Sequence, residues 1–431
     1  MLRAGHAPAT RLLGWAGLAG IVGCSFVIAA GAAGAASSLV PASVRSFPGW
    51  LAGPLSVFDL TVSPYAVNWL LIGMAASYAL VLWAVRTLRT RTVVVTIVAA
   101  HVIFLLGPPL FSADVFGYIA YARLGALHHV DPYAHGAIAA PLDPVLTYVR
   151  WGHLTSPYGP AFTVLSYAVV PLGVPGSLWA LKVVAVASSL GLVALVARLA
   201  GALGRPVLPA VAFVGLNPLL LAYGVGGAHN DLLLTLVVLT GVWLALARRE
   251  AAAGATFVVA AAMKASAVLL LPFAAVGARH KRSVLAGMLG ALAVVAVIAV
   301  ATFGVHATGF VGQIRLQQNT VAHASVPHLA GRVLGLGGAT NGIRAVALGA
   351  FAVAVALALR AAYRRRDEPG GWIAPAGWAT LALLATTAWL LPWYVVWMLP
   401  LAAIGGDKRL EVATLSFCAY VVATRVTFLL G

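Results

Sequence analysis

The chain has 431 residues, 62% of them hydrophobic and 9% charged, with a formal net charge of +17 and a mean hydropathy of +0.99. Soluble domains carry about 25% charged residues, so a soluble globular fold is excluded, and the basic excess does not point to nucleic acid because it lies in short clusters between apolar runs, as the positive-inside rule expects. The runs are continuous and rich in Ala, Leu and Val rather than alternating, which excludes a β-barrel and predicts an all-α polytopic membrane protein.

Arg3 and Arg11 precede an apolar run over Leu12–Ala33, read as a retained first span in preference to a cleaved signal peptide. A loop containing Pro and Gly leads to Ser63. Spans follow over Tyr65–Val85 and Thr92–Phe111, with Arg86, Arg89 and Arg91 between them. Ser112–Pro157 is the longest stretch outside the apolar runs. Tyr158–Pro171 is too short for a comfortable crossing and reads as a helix on, or dipping into, the interface.

Further spans are predicted over Trp179–Ala197, Pro206–Tyr223, Leu232–Ala247, Val284–Phe303, Ala345–Ala362, Ile373–Leu390, Trp393–Ile404 and Val412–Leu430. The run Ala251–Val276 is interrupted by Lys264, and both its flanks, Arg248–Arg249 and Arg279–Arg282, are basic. It should therefore enter and return as two broken helices with Lys264 near the apex. The sum is about 13 crossings in one integral membrane domain over residues 1–431. Alternation then puts Arg364, Arg365, Arg366, Lys408 and Arg409 inside, and Asp59, Asp114, Asp131, Asp143 and Asp231 outside. Residues 112–176 form the large extracytoplasmic loop with amphipathic or interfacial helices, and residues 305–344 a second one.

Charged groups at membrane depth are costly, so those that persist are functional candidates. Asp114 opens a helix carrying Val115, Tyr118, Ile119 and Ala122. It reads as an N-cap or as a general base for a sugar hydroxyl. Asp131-Pro132-Tyr133 reads as a turn. In Gly226-Gly-Ala-His229-Asn230-Asp231, Asp231 either starts the next helix or joins His229 in lining a sugar or acceptor pocket. Lys264, with no carboxylate near it in sequence, either snorkels or holds a phosphate. Arg315, Gln317, Gln318, Asn319 and His323 give either an ordinary polar loop or donors for hydroxyls and phosphate. Trp389, Trp393, Tyr394 and Trp397 suit an interfacial belt or stacking on a sugar or prenyl chain. His128, His129, His135 and His153 have no zinc-like spacing and read as a solvated loop. Cys24 and Cys418 lie in apolar runs with neither a disulfide framework nor metal spacing.

An ordered set of motifs adds to these readings. It comprises Ser112-Ala-Asp-Val-Phe-Gly-Tyr-Ile-Ala-Tyr-Ala-Arg123, Asp131-Pro-Tyr-Ala-His-Gly136, Ser156-Pro-Tyr-Gly-Pro160, Asn217-Pro218, the segment Gly226–Asp231, Met263-Lys-Ala265 and Pro392-Trp-Tyr394. Together, from about Leu110 to Pro400, they resemble the polyprenol-phosphomannose-dependent mannosyltransferases of actinobacteria. The resemblance implies a GT-C fold in a bacterial plasma membrane and α-1,6-mannosyl transfer with inversion. The donor would be a polyprenyl phosphate sugar, and the acceptor a glycan or glycolipid of the cell envelope. The catalytic Asp of the first large outer loop falls on Asp114. Lys264, His229, Asp231, Arg315, His323, Tyr118, Tyr158 and Trp393 are then the expected substrate contacts. No cofactor is expected, with a divalent metal left open. A secondary transporter or flippase for a lipid-linked sugar is the rival reading.

Overall fold

In a hydrocarbon environment each backbone N–H and C=O must be satisfied within its own segment. Long runs of Ala, Leu and Val with few charges therefore become helices. The computed structural model describes residues 7–34, 40 and 47–426, apart from the side chains of residues 315, 317 and 318. Among these residues there is no strand, and 76% are helical.

Five helices are long and apolar enough to cross a membrane: Pro8–Ala33, Pro64–Thr87, Pro160–Ala202, Lys281–His306 and Asn341–Arg364. Shorter apolar helices complete the bundle, among them Thr90–Leu106, Asp231–Leu246, Glu250–Met263 and Ile373–Thr386. The expectation of about 13 full crossings is therefore not matched by helix length. Hydropathy does not register where Pro, Gly or an isolated charge breaks a run. The expected span Pro206–Tyr223 is a short helix, Val207–Gly215, followed beyond Asn217-Pro218 by a π-helical turn, Leu220–Val225. The expected span Trp393–Ile404 is a 3-10 turn, Pro392–Trp397, then a seven-residue helix, Leu399–Gly405.

The break at Lys264 is present. Glu250–Met263 ends there, Lys264 is extended (φ −152°, ψ 127°), and the chain resumes as a 3-10 turn, Ala265–Leu270, and a helix, Leu271–Gly277. The segment from Tyr158 is helical from Pro160, turns 3-10 over Tyr167–Leu172 and feeds directly into Gly173–Ala202. Two groupings set the frame. Ala7–Ala33 packs on Pro64–Ala84 and Thr90–Leu106, while Glu250–Met263 packs on Asp231–Leu246 and Lys281–Phe303. Lys281–Phe303 and Asn341–Arg364 are the least buried of the long helices, and their outer surfaces are apolar.

Candidate active site

Asp114 is delivered by a short linker. Thr90–Leu106 stops before Pro108-Pro109, which cannot continue a helix. Leu110 then donates its N–H to Gly226 O (2.9 Å), and Ser112 N–H turns back to Leu110 O (2.8 Å). Phe111, between them, is held at φ 61°, a left-handed conformation uncommon for a bulky residue, with its ring stacked on Tyr223 (4.6 Å). The helix Asp114–Ala126 begins immediately after. Asp114 is its first residue and not its cap; its own N–H is taken by Ser112 Oγ (3.2 Å), and no side chain caps this helix. The N-cap reading is thereby set aside. The carboxylate still lies at the positive end of the helix dipole.

The turn 226–230 approaches from the other side. Asn217 Oδ1 accepts the N–H groups of Leu219 and Leu220 (3.0 and 3.2 Å), which restarts the chain after Pro218. The π-helical turn carries it to Gly226, and Ala228 takes a left-handed φ of 52°. A side chain on Gly227 would press on the His229 ring at 2.6 Å, so this position must stay bare. His229 Nδ1 then lies 3.6 Å from Asp114 Oδ2 and 3.5 Å from the Tyr118 hydroxyl, which donates to Asn230 Oδ1 (3.3 Å). Trp393 lies flat on the other side of the imidazole, with centroids 3.7 Å apart. Burial, reinforced by Lys264, holds His229 well below the usual histidine range, so the ring is neutral.

Asp231 is fully buried (0% exposed), and its Oδ1 accepts both Lys264 Nζ and Trp397 Nε1, each at 2.7 Å. The ammonium also faces the stacked rings of Tyr394 (4.8 Å) and Trp397 (5.2 Å). Lys264 therefore has a carboxylate partner after all, supplied by a residue 33 positions away. Asp231 is the first residue of its helix, as one reading of the sequence had it, yet its side chain serves Lys264 instead of a cap.

One cavity gathers part of this set, while the expected contacts His229, Asp231, Tyr118 and Trp393 do not line it. Asp114, Arg150, Tyr158, Lys264, Trp389 and Tyr394 all line it, and its volume is about 140 Å³. About a quarter of the Asp114 side chain (26%) opens on this space. Protein on the remaining sides raises its carboxyl to about 6, against the opposing pull of Lys264 and of the Ser112 hydroxyl. The result is a carboxylate that can accept a proton near neutral pH. Tyr158 meets Tyr118 edge-on (4.9 Å) at the cavity wall.

Other expected residues lie elsewhere. His323 does not line this cavity. It pairs with His328, Nδ1 to Nε2 at 3.4 Å, on a loop that reaches the Trp389 segment through Ala322 N–H to Ala388 O (2.9 Å). The side chain of Arg315, like those of Gln317 and Gln318, lies outside the described residues. The aromatic group packs around His229 and Lys264. Trp393 covers His229, Trp397 and Tyr394 cover Lys264, and Trp389 lines the cavity. His128 is not a free loop residue either; with Arg123 it grips Asp143, at 2.6 and 2.9 Å. Asp131 makes the expected turn through Tyr133 N–H (2.8 Å) and also reaches His306 (2.9 Å). Among the described residues no three His, Cys, Asp or Glu side chains group as metal ligands would.

Arg150 is the residue that sequence reasoning passed over. It lines the cavity, stands over Trp151 at 4.9 Å and lowers the Asp114 carboxyl. It makes no ion pair among the described residues. Its signal was a basic residue in a stretch whose other charges are largely Asp.

The second wall of the site rests on a close approach. Gly159 N–H donates to Met263 O (3.1 Å) beside Lys264. A side chain at Gly159 would collide with the carbonyl oxygen of Ala262. Gly159→Ala is expected to cost about 1–3 kcal/mol through overpacking, read as a lowered thermal midpoint. A variant as stable as the parent would show that the contact is slack.

An all-helical bundle apolar enough to sit in a membrane, with a carboxylate and two cations on one cavity, defines a membrane-embedded protein with a polar site built between broken helices. The family model for alpha-(1->6)-mannopyranosyltransferase, N-terminal domain, matches residues 14–280, a span that holds Asp114, Arg150, His229, Asp231 and Lys264, and the chain belongs to this family. It is 31% identical over 338 residues to alpha-(1->6)-mannopyranosyltransferase A of Mycobacterium tuberculosis, covering 72% of this chain and 65% of the relative. It is 33% identical over 195 residues to the protein of the same name in Corynebacterium glutamicum (43% and 39%). It is 28% identical over 375 residues to a probable alpha-(1->6)-mannopyranosyltransferase of Mycolicibacterium smegmatis (74% and 66%). The chain thus spans less than two thirds of the length of each of these relatives. No solved structure matches it.

Proposed function

We propose that this protein is a mannosyltransferase that moves a mannosyl residue from polyprenyl phosphate mannose to a glycan or glycolipid acceptor. The reaction takes place on the extracytoplasmic face of a bacterial plasma membrane, with inversion. The observation that carries this reading is the shared cavity, in which the Asp114 carboxylate faces the same space as Arg150 and Lys264. Asp114 takes the proton of the acceptor hydroxyl as its oxygen bonds to the anomeric carbon. The bond from that carbon to the phosphate oxygen breaks, and its electron pair leaves with polyprenyl phosphate. A phosphate is already a good leaving group, so fixed cations can stabilise it without a proton donor. Arg150, with no acidic partner among the described residues, is the principal cation for it, and Lys264, which gives one of its N–H groups to Asp231, has further N–H groups to donate. Neutral His229, stacked on Trp393 and 3.6 Å from Asp114, borders the carboxylate without quenching its charge.

The names of the relatives support the sugar and the linkage; the donor lipid and the membrane face rest on the site and the charge pattern. The purified protein in proteoliposomes should transfer labelled mannose from polyprenyl phosphate to an α-mannoside acceptor, giving an α-1,6 product. Movement of the lipid-linked sugar across the bilayer without a new glycosidic bond would establish the transporter reading instead.

A further inference from the structure

Lys182 is a buried cation that the proposed reaction does not use. It lies within the helix Gly173–Ala202 and is 1% exposed. Its ammonium meets no carboxylate among the described residues. It donates instead to two backbone carbonyls at the end of Thr90–Leu106, Phe104 O (3.0 Å) and Gly107 O, and stands 5.4 Å from the ring of Trp179. A lone lysine in an apolar bundle is expensive, so what it does there needs a reason.

The sequence supplies one. The last carbonyls of a helix lack the N–H groups of the following turn. Here residue 108, which would answer Phe104 O, is proline and has no N–H, and residue 109 is proline too. Lys182 supplies the missing donor from a neighbouring helix. Phe104 O lies in the last turn of that helix, and Gly107 O opens the seven-residue stretch 107–113 that leads to Asp114. The far half of that stretch is already tied, by Leu110 to Gly226 and by Phe111 against Tyr223. Lys182 ties the near half.

We infer that Lys182 is a positioning residue for the proposed base: by clamping the proline-interrupted end of Thr90–Leu106 it fixes where the linker, and hence Asp114, meets the cavity. The inference rests on the proposed role of Asp114. It differs from a purely stabilising role in what it predicts for catalysis. A loosened linker misplaces the base and leaves the phosphate cations, which sit on other segments, untouched.

The test uses the full chain in proteoliposomes, with rates expressed per folded molecule. Lys182→Met keeps the length and removes the donor; Lys182→Gln is the gentler lesion, polar but too short to span both carbonyls. The expected result is a kcat at least tenfold lower with the donor KM unchanged. The acid limb of the pH–rate profile should also move to lower pH. Burial raises Asp114, so a base let out toward water titrates nearer an ordinary carboxylate. The other groups facing it, His229, Lys264, Asp231, Arg150 and the hydroxyls of Tyr118, Tyr121, Tyr158 and Tyr394, are unaltered in these variants. Wild-type kcat and pH profile per folded molecule would overturn the inference, even if the variants melt earlier. If Lys182→Met yields no folded protein, Lys182→Gln is read by the same two outcomes. Asp114→Asn, assayed alongside, keeps the questions apart: activity in that variant would dismiss the base, whereas an inactive Asp114→Asn with an unimpaired Lys182 variant would dismiss only the clamp.

Discussion

Asp114→Asn is expected to leave a folded protein that transfers no measurable mannose. Removing a general base typically costs 10²–10⁴ in rate, or about 3–5 kcal/mol of barrier. The amide is isosteric with the carboxylate, and the N–H at position 114 still reaches Ser112 Oγ. Folding should not suffer, and the sign follows from titration. The carboxyl is raised to about 6 by its surroundings, so the folded state disfavours the ionised form. A raised carboxyl subtracts stability at pH 7 and restores it as pH falls. A neutral amide removes that penalty, so the variant should be as stable as the parent or slightly more so. In the parent, the rate should rise with pH through about 6 and then level, since only the deprotonated form accepts a proton. Transfer assays across pH 5–8, with thermal midpoints for both proteins, check all of this. A variant that loses fold and activity together would mean that Asp114 is structural.

Asp231→Ala should give the opposite pattern, with stability and activity lost together. Breaking a buried pair by deleting one partner typically costs about 3–5 kcal/mol, because the surviving charge is left uncompensated. Lys264 is 19% exposed, and its other neighbours are aromatic faces, so little water replaces the carboxylate. Trp397 loses its acceptor as well. The converse variant, Lys264→Met, leaves Asp231 fully buried with only the indole N–H. Replacing both, as Asp231→Leu with Lys264→Met, should recover much of the stability, since apolar replacements of buried pairs are often near neutral. It should not recover transfer if the cation serves the phosphate. Full activity in the double variant would show that the pair only braces the fold.

These contrasts also mark what could be read without coordinates. Membrane class, the break at Lys264 and the turn at Asp131 follow from local rules: apolar run length, one charge in an apolar run, and Asp before Pro. The motifs around Asp114, His229 and Lys264 pointed to residues that the fold places near one another. Their partnerships were not legible, because Asp231 and Lys264 meet through folding across 33 residues and Trp393 reaches His229 across 164. His323 was overvalued because a polar loop does not reveal which way it folds; it turns to His328. Arg150 and Lys182 were missed for a related reason. One is a cation whose importance lies in having no acidic neighbour, the other a cation whose partners are backbone carbonyls that carry no sequence signal beyond Pro108-Pro109.

The most direct measurement is a structure of the protein with polyprenyl phosphate bound. Density for the phosphate is expected in the cavity lined by Arg150 and Lys264, with space for one sugar between it and the Asp114 carboxylate. A phosphate bound at the opposite end of the bundle, or against helices that share no space with Asp114, would contradict it.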